Sequence, residues 1–398
     1  MTTSGRSIGP GVVEVVDVAA LGESMVTFLP SRPGRLADVP SFDRGIGGAE
    51  TNVLCTLAAA GHSARWVSRV GADGFGDHLV ETIGACGVDV RFVGRDPHRP
   101  TGIYFRTAGD RATDAHEVAY YRAGSAASAM AVGTVDAEAL GACRVLHLSG
   151  ITAALSADCL DLLRELTAPR PDRPLVSFDV NFRPGLWHDG AGPEVLLELA
   201  RRADLVFVGD DEARAAWGLD GGQEILRALP GPRTVVVKRG AAGATAYDRG
   251  DARPRELKAT DDATAPDRGE ARPQEQDATH GATAKHRGDA RPPEQDATAT
   301  SVPAPKVDVV AHVGAGDAFA AGFLSATLRG LPVRDRLRHG HLMAAAALTV
   351  PGDLATPPDR DHADRLCALD EAAWERLRLG PGWTTAAADG AVQEGRTP

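Results

Sequence analysis

A short glycine-rich loop near the carboxyl end of the chain carries the residues best suited to chemistry. Gly314, Ala315 and Gly316 have little or no side chain, so the backbone can turn tightly and present its N–H groups. The apolar run 318–324 that follows is typical of a helix, and a helix N-terminus with free amides favours an anion. Asp317 lies where loop and helix meet, as a capping residue or as a base. As a base, its carboxylate would take a proton from a hydroxyl that attacks a phosphoryl group held by the loop.

A second glycine-rich stretch lies near the amino end. Gly47 and Gly48 allow close approach of the backbone to a ligand, although a glycine pair before a helix is often only a turn. The helix predicted over 50–60 places Asn52 one turn in, directed back at the glycine pair. The residues before Gly48, from about residue 30, read as a loop.

Composition excludes several classes of protein. The net charge of −11 argues against a nucleic-acid surface, and no apolar run approaches the length of a membrane span. The five cysteines show no C-x-x-C spacing, so they are expected to be reduced thiols in a cytoplasmic protein.

The elements that must position these loops follow an alternating pattern. Short apolar strands separated by helical segments predict a mostly parallel, doubly wound α/β sheet with its site at the carboxyl ends of the strands. Strands are expected at 12–21, 64–70, 88–93, 145–148, 175–180, 205–208, 234–238, 244–248 and 307–310. A helical hairpin over 333–349 and 361–377 closes the pattern.

Three further segments predict a small separate sheet. Residues 25–29 form a short strand, and 101–107 and 117–122 alternate apolar and polar residues as an antiparallel pair does. Such a sheet would make a lid over the site. Its exposed edge favours a homodimer or higher homo-oligomer through the lid strands.

The remaining segments do not fit a folded domain. In 249–302 a motif begins at Arg249, Arg268 and Arg287, so it recurs every 19 residues (268 − 249 = 287 − 268), almost without large apolar side chains. Stacked repeats of this kind would bury nothing, which predicts a disordered insertion. A disordered leader over 1–11 and a disordered tail over 380–398 are also expected, which leaves 12–248 and 303–379 as the folded domain.

Two signatures suggest a family. The sequence GAGDAF around Asp317 and the sequence GGAETN around Asn52 resemble the signatures of the ribokinase-like (PfkB) carbohydrate kinases. The phrases YYRAGSAAS, HLSGITAAL and FDVNFRPGLW are most similar to the 2-keto-3-deoxygluconate (KDG) kinases of that family. The resemblance covers about 16–377 apart from the insertion. It implies a ribokinase-like α/β fold, with a mostly parallel central sheet between two layers of helices and a small β-sheet lid.

The resemblance also implies an activity and the residues that perform it. By this resemblance the chain would be a sugar kinase that uses ATP and Mg²⁺. Asp317 would be its base, and Gly314, Ala315 and Gly316 would form its anion hole. The sugar is expected to contact Gly47, Gly48, Asn52, Tyr104, Tyr120, Arg122 and Arg183. The nucleotide is expected to contact Lys238, Gly240, Gly243, Gly314, Gly316 and His341, with Glu212 holding Mg²⁺ through water.

The nature of the sugar follows from charge. KDG carries a carboxylate, and an arginine binds a carboxylate through its planar fork, so Arg122 and Arg183 would select an acid sugar over a neutral one. The alternative for both arginines is a structural ion pair. The alternative functions are a kinase for fructose or ribose, a sugar-binding relative without turnover, and a scaffold built on the repeats.

Two positions depart from the family pattern. Ala311 stands where the family usually has an Asp that helps to hold a monovalent cation, so a potassium site does not carry over. His341 stands near the expected adenine, where an Asn is common. Neither change alters the expected reaction class.

Overall fold

Strands and helices alternate through most of the chain, as its hydrophobic pattern predicts. The computed structural model describes residues 13–32, 34–107, 117–187, 190–250 and 297–385. The predictions for 1–11, for residues 251–296 of the insertion and for 386–398 lie outside these ranges.

The strands within the described ranges are β1 Val16–Leu21, β2 Met25–Pro30, β3 Phe42–Gly47, β4 Ala64–Gly71, β5 Val93–Asp96, β6 Ile103–Arg106, β7 Val118–Tyr121, β8 Cys143–Ser149, β9 Leu175–Asp179, β10 Leu205–Gly209, β11 Thr234–Lys238, β12 Ala244–Asp248, β13 Thr298–Val302, β14 Lys306–Val307 and β15 Arg378–Leu379. The helices are α1 Ala49–Ala59, α2 Gly74–Ala85, α3 Ala137–Gly141, α4 Gly150–Ala153, α5 Ala157–Thr167, α6 Gly192–Arg202, α7 Asp210–Trp217, α8 Gly222–Ala228, α9 Ala315–Leu328, α10 Val333–Leu348, α11 Arg360–Cys367 and α12 Glu371–Arg376.

Nine of the described strands form the main sheet, in the order β13-β12-β11-β10-β9-β8-β1-β4-β5. The pairs from β11 to β5 are parallel, whereas β12 and β13 are antiparallel to their neighbours. The register pairs Phe207 with Asp179 and Gly209 with Lys238. The polar residues that end β9 and β11 therefore lie at the same edge of the sheet.

Helices cover both faces of this sheet, which confirms the ribokinase-like α/β prediction. Along β10, Phe207 belongs to the core formed with α1, α2, α9 and α10, whereas Val206 and Val208 belong to the core formed with α3, α5, α6 and α7. Both faces are buried, so the strand reads as a continuous apolar run rather than an alternation. Helices α9 and α10 pack so closely that a Cβ on Gly322 would lie 2.4 Å from the carbonyl oxygen of His339.

A four-stranded sheet stands apart from the main one, in the order β3-β2-β6-β7. Strand β2 pairs parallel with β6 and antiparallel with β3, and β6 pairs antiparallel with β7. The prediction of a loop up to Gly48 was wrong, because residues 42–47 form β3. Their polar and glycine-containing sequence has little strand character of its own, and the hydrogen bonds to the edge of β2 hold them extended.

Several other boundaries also differ from the predictions. The insertion ends sooner than expected, because residues 298–302 form β13 and pair with β12. The strand predicted at 307–310 is only the two residues of β14, paired with β15 outside the main sheet, and the strand predicted at 88–93 lies at β5. The prediction of a disordered tail from residue 380 was wrong at its start, because Trp383 is buried.

Helix α8 was not predicted. Within the described ranges, no helix combines the length and apolarity needed to cross a membrane.

Candidate active site

The glycine loop and α9 meet at Gly314, which is the N-cap of the helix. Its φ of 75° lies in the left-handed region that favours glycine. A Cβ at this position would also lie 2.4 Å from the carbonyl oxygen of Asp353. Gly314 has no side chain to cap the helix, and no side chain of the described residues is seen to accept from the first-turn amides, which are thus available to an anion.

Asp317 lies in the first turn of α9 and receives its hydrogen bond from another helix. Nδ2 of Asn52, on α1, donates to Oδ2 of Asp317 over 2.8 Å. Burial raises the pKa of Asp317 to about 7, and the carboxylates of Asp179 and Glu50 add to the rise, whereas Asn52 and Lys238 oppose it. The carboxylate is thus poised to exchange a proton near neutral pH.

An ion pair lies beside this carboxylate. Nζ of Lys238 contacts Oδ1 and Oδ2 of Asp179 at 3.1 and 3.0 Å. A Cβ on Gly316 would lie 3.7 Å from the same Nζ, so the ammonium faces the start of α9. Asp179 was not among the predicted site residues, although it ends a parallel strand, where sites of this fold class gather.

Glu212 lies close to this ion pair. Its Oε2 accepts a hydrogen bond of 2.8 Å from the backbone N–H of Gly209, and burial raises its pKa. Across the described part of the chain, no three His, Cys, Asp or Glu side chains are grouped as direct metal ligands. The carboxylates of Glu212 and Asp179 are nevertheless the oxygen donors that suit a largely hydrated Mg²⁺.

Three of the residues predicted to bind sugar, Gly47, Tyr104 and Tyr120, lie on strands of the small sheet. The hydroxyl of Tyr104 donates to Oδ2 of Asp353 over 3.0 Å, and a Cβ on Gly47 would lie 2.2 Å from that hydroxyl. Nη2 of Arg106 contacts Oδ1 of Asp353 at 2.6 Å. The ring of Tyr120 lies 5.5 Å from that of Tyr104. The loop that carries Asp353 therefore contacts both the small sheet and Gly314.

The two predicted arginines have different surroundings. Nη2 of Arg122 lies 2.5 Å from Oε2 of the buried Glu23, whose Oε1 accepts a hydrogen bond from Ser125. Arg183 is exposed and follows Asn181, the one non-glycine residue with positive φ in the described ranges, at 40°. Backbone strain of this kind is often found at functional sites.

Two of the predicted nucleotide contacts, Gly243 and His341, approach the same carbonyl oxygen at the end of β13. Gly240 and Gly243 flank the turn after β11, and a Cβ on Gly243 would lie 2.2 Å from the carbonyl oxygen of Val302. Nε2 of His341 lies 3.1 Å from that oxygen, and the His341 ring packs edge-on against Phe319. His341 is therefore a buried packing residue.

Four buried acids near the site were not among the predicted site residues: Glu23, Glu50, Asp179 and Asp353. Oε1 of Glu50 accepts hydrogen bonds from the hydroxyls of Ser149 and Thr152 at 2.7 and 2.8 Å, and burial raises its pKa. Among these acids, only Asp179 had a sequence signal, its place at the end of an apolar strand. Asp353 lies in an irregular loop that no periodicity marks.

The N-terminus of α9 lies beside a carboxylate with a pKa near 7 and beside a lysine that ends a parallel strand. An α/β phosphotransferase needs groups of these kinds at its site. The chain matches the model of the pfkB family carbohydrate kinases over residues 16–260 and 283–360. It belongs to this family and is an ATP-dependent sugar kinase.

Individual relatives agree with this family. The 2-dehydro-3-deoxygluconokinase of Bacillus subtilis (strain 168) is 29% identical over 352 residues, which are 87% of this chain and 94% of the relative. The 2-dehydro-3-deoxygluconokinase of Thermoproteus tenax is 29% identical over 89% of this chain and 95% of its own. The crystal structure of a PfkB protein from Polaromonas sp. JS666 has a TM-score of 0.67 at 32% identity and covers 88% of this chain and 99% of its own.

Proposed function

We propose that this kinase transfers the γ-phosphoryl group of ATP to a hydroxyl of 2-keto-3-deoxygluconate, giving the 6-phosphate. The position of Asp317 beside the open N-terminus of α9 carries the reaction class. Two relatives that share 29% identity over most of the chain are 2-dehydro-3-deoxygluconokinases, another name for KDG kinase, and they support the substrate.

The proposed reaction begins at Asp317. Its carboxylate takes the proton of the sugar hydroxyl as that oxygen attacks the γ-phosphorus, and a pKa near 7 matches this task. The N–H groups of Gly316 and its neighbours in the first turn of α9 stabilise the charge on the phosphoryl oxygens. Mg²⁺, when bound with ATP, would neutralise phosphate charge, and Glu212 would hold it through water.

The sugar would lie between the lid and the first turn of α1. Gly47, Gly48 and Asn52 would contact its hydroxyls, and Tyr104 and Tyr120 would cover it from the lid. The nucleotide would extend from the α9 N-terminus towards Gly240 and Gly243, with His341 supporting that region from beneath.

The carboxylate of the sugar requires a cation. Arg183 is exposed and follows the strained Asn181, so it is the arginine better placed to bind a new anion. Arg122 already shares a short contact with Glu23, and a substrate carboxylate would have to join that pair. The pairing of Arg122 with Glu23 favours the rival proposal, a kinase for a neutral sugar such as fructose, because an arginine that is already paired is not needed for a substrate carboxylate.

A substrate screen separates these two proposals. ATP-dependent phosphorylation is measured with KDG, fructose, ribose and gluconate, for the wild-type protein, Arg183→Met and the control Arg99→Met, which removes another exposed arginine. If the protein is a KDG kinase, the wild type should have its highest kcat/KM with KDG. Arg183→Met should lower that kcat/KM, whereas Arg99→Met should leave it unchanged. A preference for fructose that Arg183→Met does not change would support the neutral-sugar kinase.

The lid also bears on assembly. Strand β7 is an edge of the small sheet, and Tyr121 on it is 64% exposed. Pairing of two copies through such an edge is our proposal for the oligomeric state. Sedimentation of the wild-type protein beside Tyr121→Lys tests it, since a charged edge should shift the protein towards monomer.

A further inference from the structure

Lys238 was predicted as a nucleotide contact, but its ammonium lies beside Asp179 and the first turn of α9. Lys238 ends β11, and its ammonium contacts the carboxylate of Asp179 and lies 3.7 Å from where a Cβ on Gly316 would be, in the first turn of α9. An anion bound to the first-turn amides of α9 would therefore lie next to this ammonium. The atom of ATP that reaches this point in the proposed function is the γ-phosphorus, far from the adenine.

The charges around Lys238 make this position unusual. Burial lowers the pKa of Lys238, but the carboxylates of Asp179, Glu212 and Asp317 lie close enough to outweigh it and raise that pKa. Three carboxylates would repel a triphosphate, and the ammonium between them offsets that repulsion. Lys306, the other lysine within the described ranges, lies exposed on β14, away from these acids.

We propose that Lys238 is a further catalytic residue, an inference that rests on the proposed phosphoryl transfer. Its ammonium leaves Asp179 and contacts the phosphoryl group while that group is transferred at the N-terminus of α9. In this step the bond from the sugar oxygen to the γ-phosphorus forms and the bond from that phosphorus to the bridging oxygen of ADP breaks. The electron pair of the broken bond stays on ADP. The sugar proton goes to Asp317, and Lys238 keeps its own proton throughout.

The competing explanation is that Lys238 only neutralises Asp179. Both explanations predict that Lys238→Met harms the enzyme, because it leaves a buried carboxylate without its partner. They differ in which property the variant loses. If Lys238 only neutralises Asp179, its loss should lower the stability of the fold and the affinity for every ligand to a similar degree. If it contacts the phosphoryl group during transfer, its loss should weaken binding of the transition state far more than binding of the ground state.

The test compares binding of ADP with binding of ADP plus aluminium fluoride, a mimic of the phosphoryl group in transit. The proteins are the wild type, Lys238→Met, Lys238→Arg and the control Lys306→Met, with Mg²⁺ present in every arm. We expect Lys238→Met to lower kcat by about 10²–10³-fold and to weaken binding of the ADP–aluminium fluoride complex by a similar factor. Binding of ADP alone should change by less than about threefold, Lys238→Arg should recover part of both losses, and Lys306→Met should match the wild type.

A second pair of variants guards against misfolding of Lys238→Met. Asp179→Asn is compared with Asp179→Asn/Lys238→Met, because Asp179→Asn removes the one carboxylate that Lys238 contacts directly. If the selective loss of aluminium fluoride binding persists in the double variant, Lys238 acts on the phosphoryl group. If Lys238→Met has no further effect in the Asp179→Asn background, the lysine is only a neutralising partner and the proposal is overturned.

The aluminium fluoride measurement needs no sugar, so it separates this proposal from that for the substrate. A protein that phosphorylates another sugar and not KDG would refute the KDG assignment and leave the result for Lys238 standing. A wild-type protein whose ADP binding does not tighten with aluminium fluoride would overturn the role of Lys238.

Discussion

Asn52 and Asp317 are 265 residues apart in the chain, yet Nδ2 of Asn52 donates a hydrogen bond of 2.8 Å to Oδ2 of Asp317. The bond joins the first turns of α1 and α9, each of which follows a glycine loop. It stabilises the ionised form of the carboxylate, against the burial that favours the neutral form.

Loss of this hydrogen bond should shift the pH dependence of catalysis. Asn52→Ala removes the donor, so the pKa of Asp317 should rise and the acidic limb of the kcat/KM profile should move to higher pH. A hydrogen bond to a charged group is worth about 1.5–3 kcal/mol, which corresponds to a shift of about one to two pH units. Rates from pH 5 to 9 check this. An unchanged midpoint would show that Asn52 does not act on the base.

The two glycines of the loop should respond differently to the same substitution. Gly314→Ala places a Cβ at positive φ and against the carbonyl of Asp353, and the strain alone should cost about 1–3 kcal/mol. Gly316→Ala meets only Nζ of Lys238, at an ordinary 3.7 Å, and should fold normally. Thermal unfolding of both variants tests the difference. Equal melting temperatures would contradict the described geometry of Gly314.

The sequence predicted this loop because its chemistry is local. Small residues before an apolar run indicate a helix start whatever the rest of the chain does, and Gly314 to Asp317 lie at such a start. Apolar strands such as β10 and β11 were predicted well because both their faces are buried, so every residue carries the signal.

Elements that depend on distant partners were not predictable in this way. Strand β3 is extended because β2 pairs with it, and β13 because β12 does. Likewise, Asp353 acquires its partners Arg106 and Tyr104 from about 250 positions earlier in the chain, at separations of 247 and 249 residues. Such contacts leave no periodic trace in a single sequence.

The buried pair of Glu23 and Arg122 should dominate the effect of mutating the arginine. Arg122→Met leaves the carboxylate of Glu23 buried without its cation, which should cost about 3–5 kcal/mol of unfolding free energy. The double variant Glu23→Gln/Arg122→Met removes both charges and should regain much of that loss. Urea unfolding of the two proteins measures it. Equal midpoints would mean that the pair contributes little to the fold.

Asp317 should lower the stability of the protein at high pH. Its pKa is about 7 in the folded protein and 3.8 for an ordinary Asp, so folding favours the protonated form. The stabilising contribution is therefore complete below about pH 3.8 and is lost as the pH rises through 7. Asp317→Asn, which stays neutral, should gain about 1–4 kcal/mol relative to the wild type between pH 4 and pH 8. Urea unfolding at the two pH values tests this, and a constant difference would contradict the raised pKa.

Turnover of Asp317→Asn tests the central claim most directly. With ATP and KDG, or whichever sugar the wild type phosphorylates, kcat should fall by about 10²–10⁴-fold while the affinities for both ligands stay within about threefold. A variant that folds and keeps a kcat close to that of the wild type would contradict the assignment of Asp317 as the base.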